Sequence, residues 1–148
     1  MTDAEAFQLV TFWVGDRYCG IPVESVQELL RRLPITPVPL AGDAICGLIN
    51  LRGQIVTAID MRHRLGLPST GEAPQAMSII LRTEQGPLSV MVDRVGEVLD
   101  VDPVAVEAPP DSLIGEARRL VRGVVKLPDR LLLVLDSGEV TRNRMVSA

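Results

Sequence analysis

A chain of 148 residues, 47% of them hydrophobic, has the length of one ordinary domain or of two small subdomains sharing a core, and it needs no disulfide staple. Aromatic residues make up only 3%, so the core must be built from Val, Leu and Ile, a composition that leans toward strands. The formal net charge of -4 works against a nucleic-acid partner, which needs a basic surface, and scarce aromatics weaken base stacking as well.

The first residues, MTDAEAF, carry neither the basic segment nor the apolar stretch of an export signal. The longest pure apolar run, LLLVL at 131–135, is far too short to span a bilayer. A cytoplasmic protein with no direct membrane insertion is expected. AFQLVTFWV then alternates loosely up to Gly15-Asp16, and RYCGIP returns as the second half of a hairpin. PVESVQELLRRL places Val23, Val26, Leu30 and Leu33 at helical spacing, with Pro22 tolerated in a first turn and Glu28/Arg32 as an i,i+4 pair. The spacing predicts one short amphipathic helix, stopped by Pro34. PITPVPLAG is too rich in proline for a central strand and reads as an edge or a loop.

GLINLRGQIVTAID, from Gly47 to Asp60, reads as two strands joined by a tight turn that carries Arg52 and Gly53, with Gly53 supplying a positive φ. MRHRLGLP is a single helical turn closed by Gly66 and Pro68, and STGEAPQ at 69–75 is the best boundary within the chain. MSIILRT, GPLSVMV and RVGEVLDV are three more strands, with Leu88, Val90 and Val92 on one face of the middle one. EAPPDSLIGEAR reads as a loop, LVRGVVKL and RLLLVLD as a last hairpin, and the tail after Asp136 as one weak helical turn. About ten short strands in this length suggest two small barrels and not one open sheet.

The sequence offers little to catalysis. Its single histidine, His63, sits between Arg62 and Arg64 with no cysteine or histidine nearby, as a solvated helix residue would. Cys19 and Cys46 form no CxxC pair and lie among apolar residues, where free cysteine serves as a small hydrophobe. Asp60, Asp93, Asp100 and Asp136 fall at strand ends and turns, the places of caps. No nucleotide, zinc-protease or hydrolase motif appears, so no catalytic centre, metal or cofactor is expected. What remains is surface. The strand from Ile45 to Leu51 has apolar residues on both faces, and its partner sets Ile55, Thr57 and Ile59 against Val56 and Ala58. Such a strand is either sandwiched between subdomains or lines an apolar groove for a partner helix.

GLINLRGQIVTAIDMRHRLGL resembles the central motif of the CheW family, bacterial chemotaxis adaptors in which an Asn-Leu-Arg-Gly turn joins two strands ahead of an Asp and a short basic segment. YCGIPVESVQEL, LSVMVDRVGEVL and VRGVVKLPDRLLLVLD resemble further family blocks, in family order from about Phe7 to Asp136. The resemblance implies an all-β fold: one CheW-like domain over 1–148, made of two five-stranded SH3-like barrel subdomains that share an apolar interface. They would divide near 69–75, with the N-terminal strand able to join the second. It implies a non-catalytic adaptor recruited to membrane receptor arrays. Its partners would be the helical-hairpin cytoplasmic tips of transmembrane chemoreceptors and the regulatory domain of the histidine kinase CheA, which has the same fold.

The receptor groove would comprise Val26, Gly47, Asn50, Leu51, Arg52, Gly53 and Ile55, with Glu28 paired to Arg52. Leu88, Val90, Val92 and Val98 are the kinase-binding candidates. The family pattern is departed from at Thr57, where a proline is common. Two alternatives stand beside this one: a CheW-like scaffold in a receptor-kinase pathway unrelated to motility, and a small-ligand-binding β-barrel.

Overall fold

The computed structural model describes residues 6–40, 42, 44–68 and 76–142. Eleven strands and three short helices follow one another among them. The N-terminal hairpin forms as the sequence predicts, β1 (Phe7–Val14) and β2 (Arg17–Pro22) meeting at Gly15, whose φ is 62°. The expected amphipathic helix does not form. A single 3-10 turn, Val23–Ser25, leads instead into β3 (Val26–Arg31), in which Gln27, Leu29 and Arg31 are exposed while Val26, Glu28 and Leu30 are half-buried. The helical spacing of Val26 and Leu30 is a coincidence of the strand: a register shift between Val26 and Glu28 turns the alternation over, so Val26 packs on the shared core and Leu30 on the opposite face of the sheet. Pairing with a neighbouring strand decided between helix and strand, and the i,i+4 relation of Glu28 to Arg32 lapses with the helix.

The chain continues through β4 (Ile45–Leu51), β5 (Gln54–Asp60) and α1 (Met61–Arg64). Asp60 caps α1 by accepting from the backbone N–H groups of Arg62 and His63, the capping role its position predicts. After β6 (Met77–Leu81), β7 (Leu88–Val92) and β8 (Arg94–Val101), the segment read as a loop, 107–118, is bordered by the short β9 (Val106–Glu107), and its last residues begin α2 (Gly115–Leu120). The closing elements are β10 (Val121–Lys126), β11 (Leu131–Leu135) and α3 (Ser137–Thr141), the last capped by the Asp136 carboxylate.

The strands form two sheets. One has five strands in the order β3-β6-β7-β5-β4, and the other has six, β8-β1-β2-β11-β10-β9, the sixth being the two-residue β9. Both mix antiparallel ladders with one parallel pair, β5 with β7 and β2 with β11. The stretch 69–75, expected as the boundary, lies outside the described residues. The chain passes between sheets at Pro22–Ser25 and again at Asp93, so β6 and β7 stand in the middle of the sheet begun by β3.

Alternation along the strands builds three apolar layers. One face of the six-stranded sheet buries Leu9, Tyr18, Leu132 and Val134, and one face of the five-stranded sheet buries Ile49, Leu51, Val56, Ala58, Ile80 and Met91. The opposite faces meet. Val10, Phe12, Cys19, Leu133 and Leu135 of one sheet share a core with Ile79, Leu81, Val90 and Val92 of the other. That shared layer is the expected apolar interface. On the five-stranded side it is walled by β6 and β7, and α1, which follows β5, adds Met61 and, just past its end, Leu65.

Candidate functional site

Leu51 pairs with Gln54, which leaves Arg52 and Gly53 as a two-residue hairpin loop with φ of 53° and 88°. Positive φ at both positions is the type I′ geometry whose twist matches the flanking strands. Gly53 meets that demand freely; Arg52 is one of two non-glycine residues held there among those described. Two side-chain contacts hold the turn. The Asn50 carboxamide oxygen accepts from the Gly53 N–H at 2.7 Å. The Arg52 guanidinium donates through Nη1 and Nη2 to the two Glu28 carboxylate oxygens, at 2.8 and 2.6 Å.

This two-pronged bond lowers the Glu28 carboxyl below its ordinary pKa, with the Arg52 charge and the Gln27 side chain helping and partial burial opposing. The same bond raises Arg52. The arginine remains largely exposed, at 66%, so salt and solvent screen the pair.

The pair has a topological meaning. β3 and β4 are opposite edges of the five-stranded sheet, so Glu28 and Arg52 reach across the seam where the sheet curls back on itself. The chain after β3 closes the same seam, Thr36 exchanging backbone hydrogen bonds with Leu48 of β4 at 2.8 Å in both directions. Gly47 makes that approach possible. Its φ is 147°, and a Cβ there would collide with the Thr36 carbonyl oxygen and lie 2.8 Å from Ile35 Cγ2.

The structure sorts the predicted groove residues. Asn50, Arg52, Gly53 and Ile55 are exposed; Ile55 is the outward apolar residue, 63% exposed, opposite Asn50 in the β4–β5 ladder. Leu48 and Thr57 form the next outward pair, both half-buried. The remaining three lie deeper, Gly47 and Leu51 buried and Val26 half-buried. Leu51 is 6% exposed and faces the inner core with Ile49 and Val56, Gly47 is buried beneath Thr36, and Val26 packs against the shared core.

The kinase-binding candidates divide as well. Leu88, Val90 and Val92 do share one face of β7, but β7 is buried throughout and that face holds Val90 and Val92 within the layer between the sheets. These three side chains present no surface to a partner. Val98, 50% exposed on the edge strand β8, does.

Sequence reasoning missed a second cluster on the basic segment after Asp60. His63 is exposed as expected, but Arg64 is one of the largest buried side chains, at 2% exposure. Its Nε donates to Glu116 of α2 at 2.6 Å, and its Nη1 and Nη2 donate to the Val140 and Glu139 carbonyls of α3 at 2.8 and 3.1 Å. Arg62 reaches Asp93 at 3.0 Å, and Asp93 also accepts from the Gly15 N–H. The signal available was spacing: Met61 and Arg64, three apart on one turn of α1, share its buried face.

Among the described residues no three His, Cys, Asp or Glu side chains converge as metal ligands would, and no helix is long and apolar enough to cross a membrane.

The family model for the CheW-like domain matches residues 8–144. A chemotaxis protein CheW of Treponema pallidum (strain Nichols) is 32% identical over 136 residues, covering 89% of this chain and 80% of that protein. One from Bacillus subtilis (strain 168) is 29% identical over 133 residues, covering 90% and 85%. The fold is similar to the crystal structure of the scaffolding protein TtCheW from Thermoanaerobacter tengcongensis, with a TM-score of 0.78, 29% identity, and coverage of 88% of this chain and 84% of that one.

Proposed function

This chain belongs to the CheW-like domain family, and from that membership we propose that it is a non-catalytic chemotaxis adaptor that couples transmembrane chemoreceptors to the histidine kinase CheA. The relatives named above are chemotaxis proteins and a scaffolding protein.

The observation that carries the receptor half is Ile55, an isoleucine 63% exposed beside an arginine whose position two hydrogen bonds to Glu28 fix. An apolar anchor next to an oriented charge suits the amphipathic face of a helix, and receptor tips in this family are helical hairpins. The pre-set turn lowers the cost of binding, because Arg52 gives up little freedom when a partner arrives. On the kinase side, Val98 of the edge strand β8 offers an exposed apolar contact to a domain of the same fold. Signal passes through such an adaptor by linkage: a receptor conformation that changes the affinity of the groove changes, by the same free energy, the assembly that holds the kinase.

Co-sedimentation with receptor-bearing membranes, with and without CheA, tests this function. Ile55→Asp should abolish sedimentation with receptors while leaving the fold intact. Val104→Asp, at a position 81% exposed outside the groove, should leave it unchanged. Equal sedimentation of wild type and Ile55→Asp would overturn the groove assignment.

A further inference from the structure

β3 does not run straight alongside β6. Val26 pairs with Leu81 and Glu28 with Ile80, so two steps along β3 match one along β6, and Gln27 is the extra residue of a β-bulge. That irregularity decides where Glu28 points. Side chains alternate across a sheet, so in a regular ladder that kept the Val26–Leu81 pair, Glu28 would fall opposite Ile79 and every residue beyond Val26 would shift by one place against β6. Glu28 meets Arg52 only because the bulge moves it into register with Ile80.

One residue holds the entry to this bulge. Arg82, just after β6, donates from its Nη1 to the Val26 carbonyl at 2.8 Å and to the Glu24 carbonyl at 3.0 Å. Its backbone N–H donates to the Ser25 carbonyl at 2.9 Å. Three consecutive carbonyls, those of residues 24, 25 and 26, thus converge on Arg82, immediately before the displaced residue. A bulge interrupts its ladder and leaves backbone groups in need of other partners, and a cationic donor that ties the Val26 carbonyl of β3 to the Glu24 carbonyl of the preceding turn resists slippage to the regular register.

We propose that Arg82 is a positioning residue that pins the Gln27 bulge and thereby aims Glu28 at Arg52. It need not touch a partner to do so. Both side-chain bonds leave from the single nitrogen Nη1, so a lysine ammonium can supply them, whereas the similarly sized apolar side chain of methionine cannot. The backbone bond to Ser25 survives either substitution and keeps β3 and β6 together.

That this geometry matters for receptor binding rests on the function proposed above, so the test has two separate readouts. The first is the titration of the Glu28 carboxyl followed by NMR in the free protein. In Arg82→Met it should move back up toward the ordinary carboxylate range, because Glu28 spends less time on Arg52; in Arg82→Lys it should stay as in wild type. The second is co-sedimentation with receptor-bearing membranes, expected to fall about tenfold for Arg82→Met and to be retained by Arg82→Lys.

An unchanged Glu28 titration in folded Arg82→Met overturns the proposal, whatever happens to thermal stability. A relaxed titration with undiminished sedimentation upholds the positioning role and overturns the receptor-groove reading instead.

Discussion

Replacing Arg64 by methionine should be among the most damaging single changes away from the groove. The substitution keeps most of the apolar stem but removes three hydrogen bonds from a side chain only 2% exposed. The Val140 carbonyl, in a buried bond, loses its charged donor, and a stranded buried acceptor costs about 1 to 3 kcal/mol. Glu116 is 35% exposed and recovers part of its hydration, which places the total at the lower end of the 3 to 5 kcal/mol typical of breaking a buried ion pair, at about 3 kcal/mol. For a domain of this size each kcal/mol shifts the melting temperature by about 2 to 4 °C, so a fall of about 6 to 12 °C is expected.

Trp13, the only tryptophan, reports the transition, since the Arg94 guanidinium lies 4.7 Å from its ring centre in the folded state. Thermal unfolding should be run beside Glu116→Gln and the double variant. The pair should couple by about 0.5 to 3 kcal/mol, the double variant losing less than the sum of the singles. A loss below about 0.5 kcal/mol for Arg64→Met, the scale of an ordinary surface change, would refute the idea that this arginine clamps α1 to α2 and α3.

At the groove, Arg52→Ala and Glu28→Ala should each weaken receptor co-sedimentation roughly threefold to tenfold with the fold retained, and the charge-swapped double variant Glu28→Arg with Arg52→Glu should recover part of it. Strictly additive losses would separate the two residues. Because Arg52 holds Glu28 below its ordinary pKa, the contribution of the pair is complete at neutral pH and is lost only as pH falls through and below the usual carboxylate range; a pH titration of unfolding in wild type and Glu28→Gln checks the sign. Gly47→Ala should cost at least about 2 kcal/mol by forcing Thr36 off β4, and loss of protection of the Leu48 amide in hydrogen exchange would locate the damage at the seam. Burial pushes the Cys19 thiol up to about 12, with Arg17 opposing, and pushes Cys46 up to about 11, where the Asp60 carboxylate adds to the effect. A thiolate-directed reagent at pH 8 should therefore leave native protein almost unlabelled and count two thiols after unfolding. Above about pH 9 the unfolded thiols ionise while the folded ones do not, so stability should decline there.

Period, punctuation and composition determined much of this molecule without help. Alternating Val, Leu and Ile between turn residues identified nearly every strand, Gly15 and Gly53 marked their hairpins, and Asp60 and Asp136 announced helix starts, because each of these preferences acts within a few residues of chain. The resemblance in the Asn-Leu-Arg-Gly block and in YCGIPVESVQEL singled out Arg52 and Glu28, whose bond the structure contains. Other decisions belonged to the tertiary structure. The segment at 26–31 carried a pattern compatible with helix and strand, and only the ladder to β6 chose between them. An apolar face looks the same in sequence whether it meets solvent, a partner or the other sheet. Leu88, Val90 and Val92 therefore read as a binding face until the packing of two sheets buried them. Arg64 stood in the sequence only as a charged neighbour of His63, and helices 52 to 76 residues further along brought it a carboxylate and two carbonyls. Burial and pairing at such separations depend on which surfaces the folded chain brings together, and no local stretch of sequence carries that information.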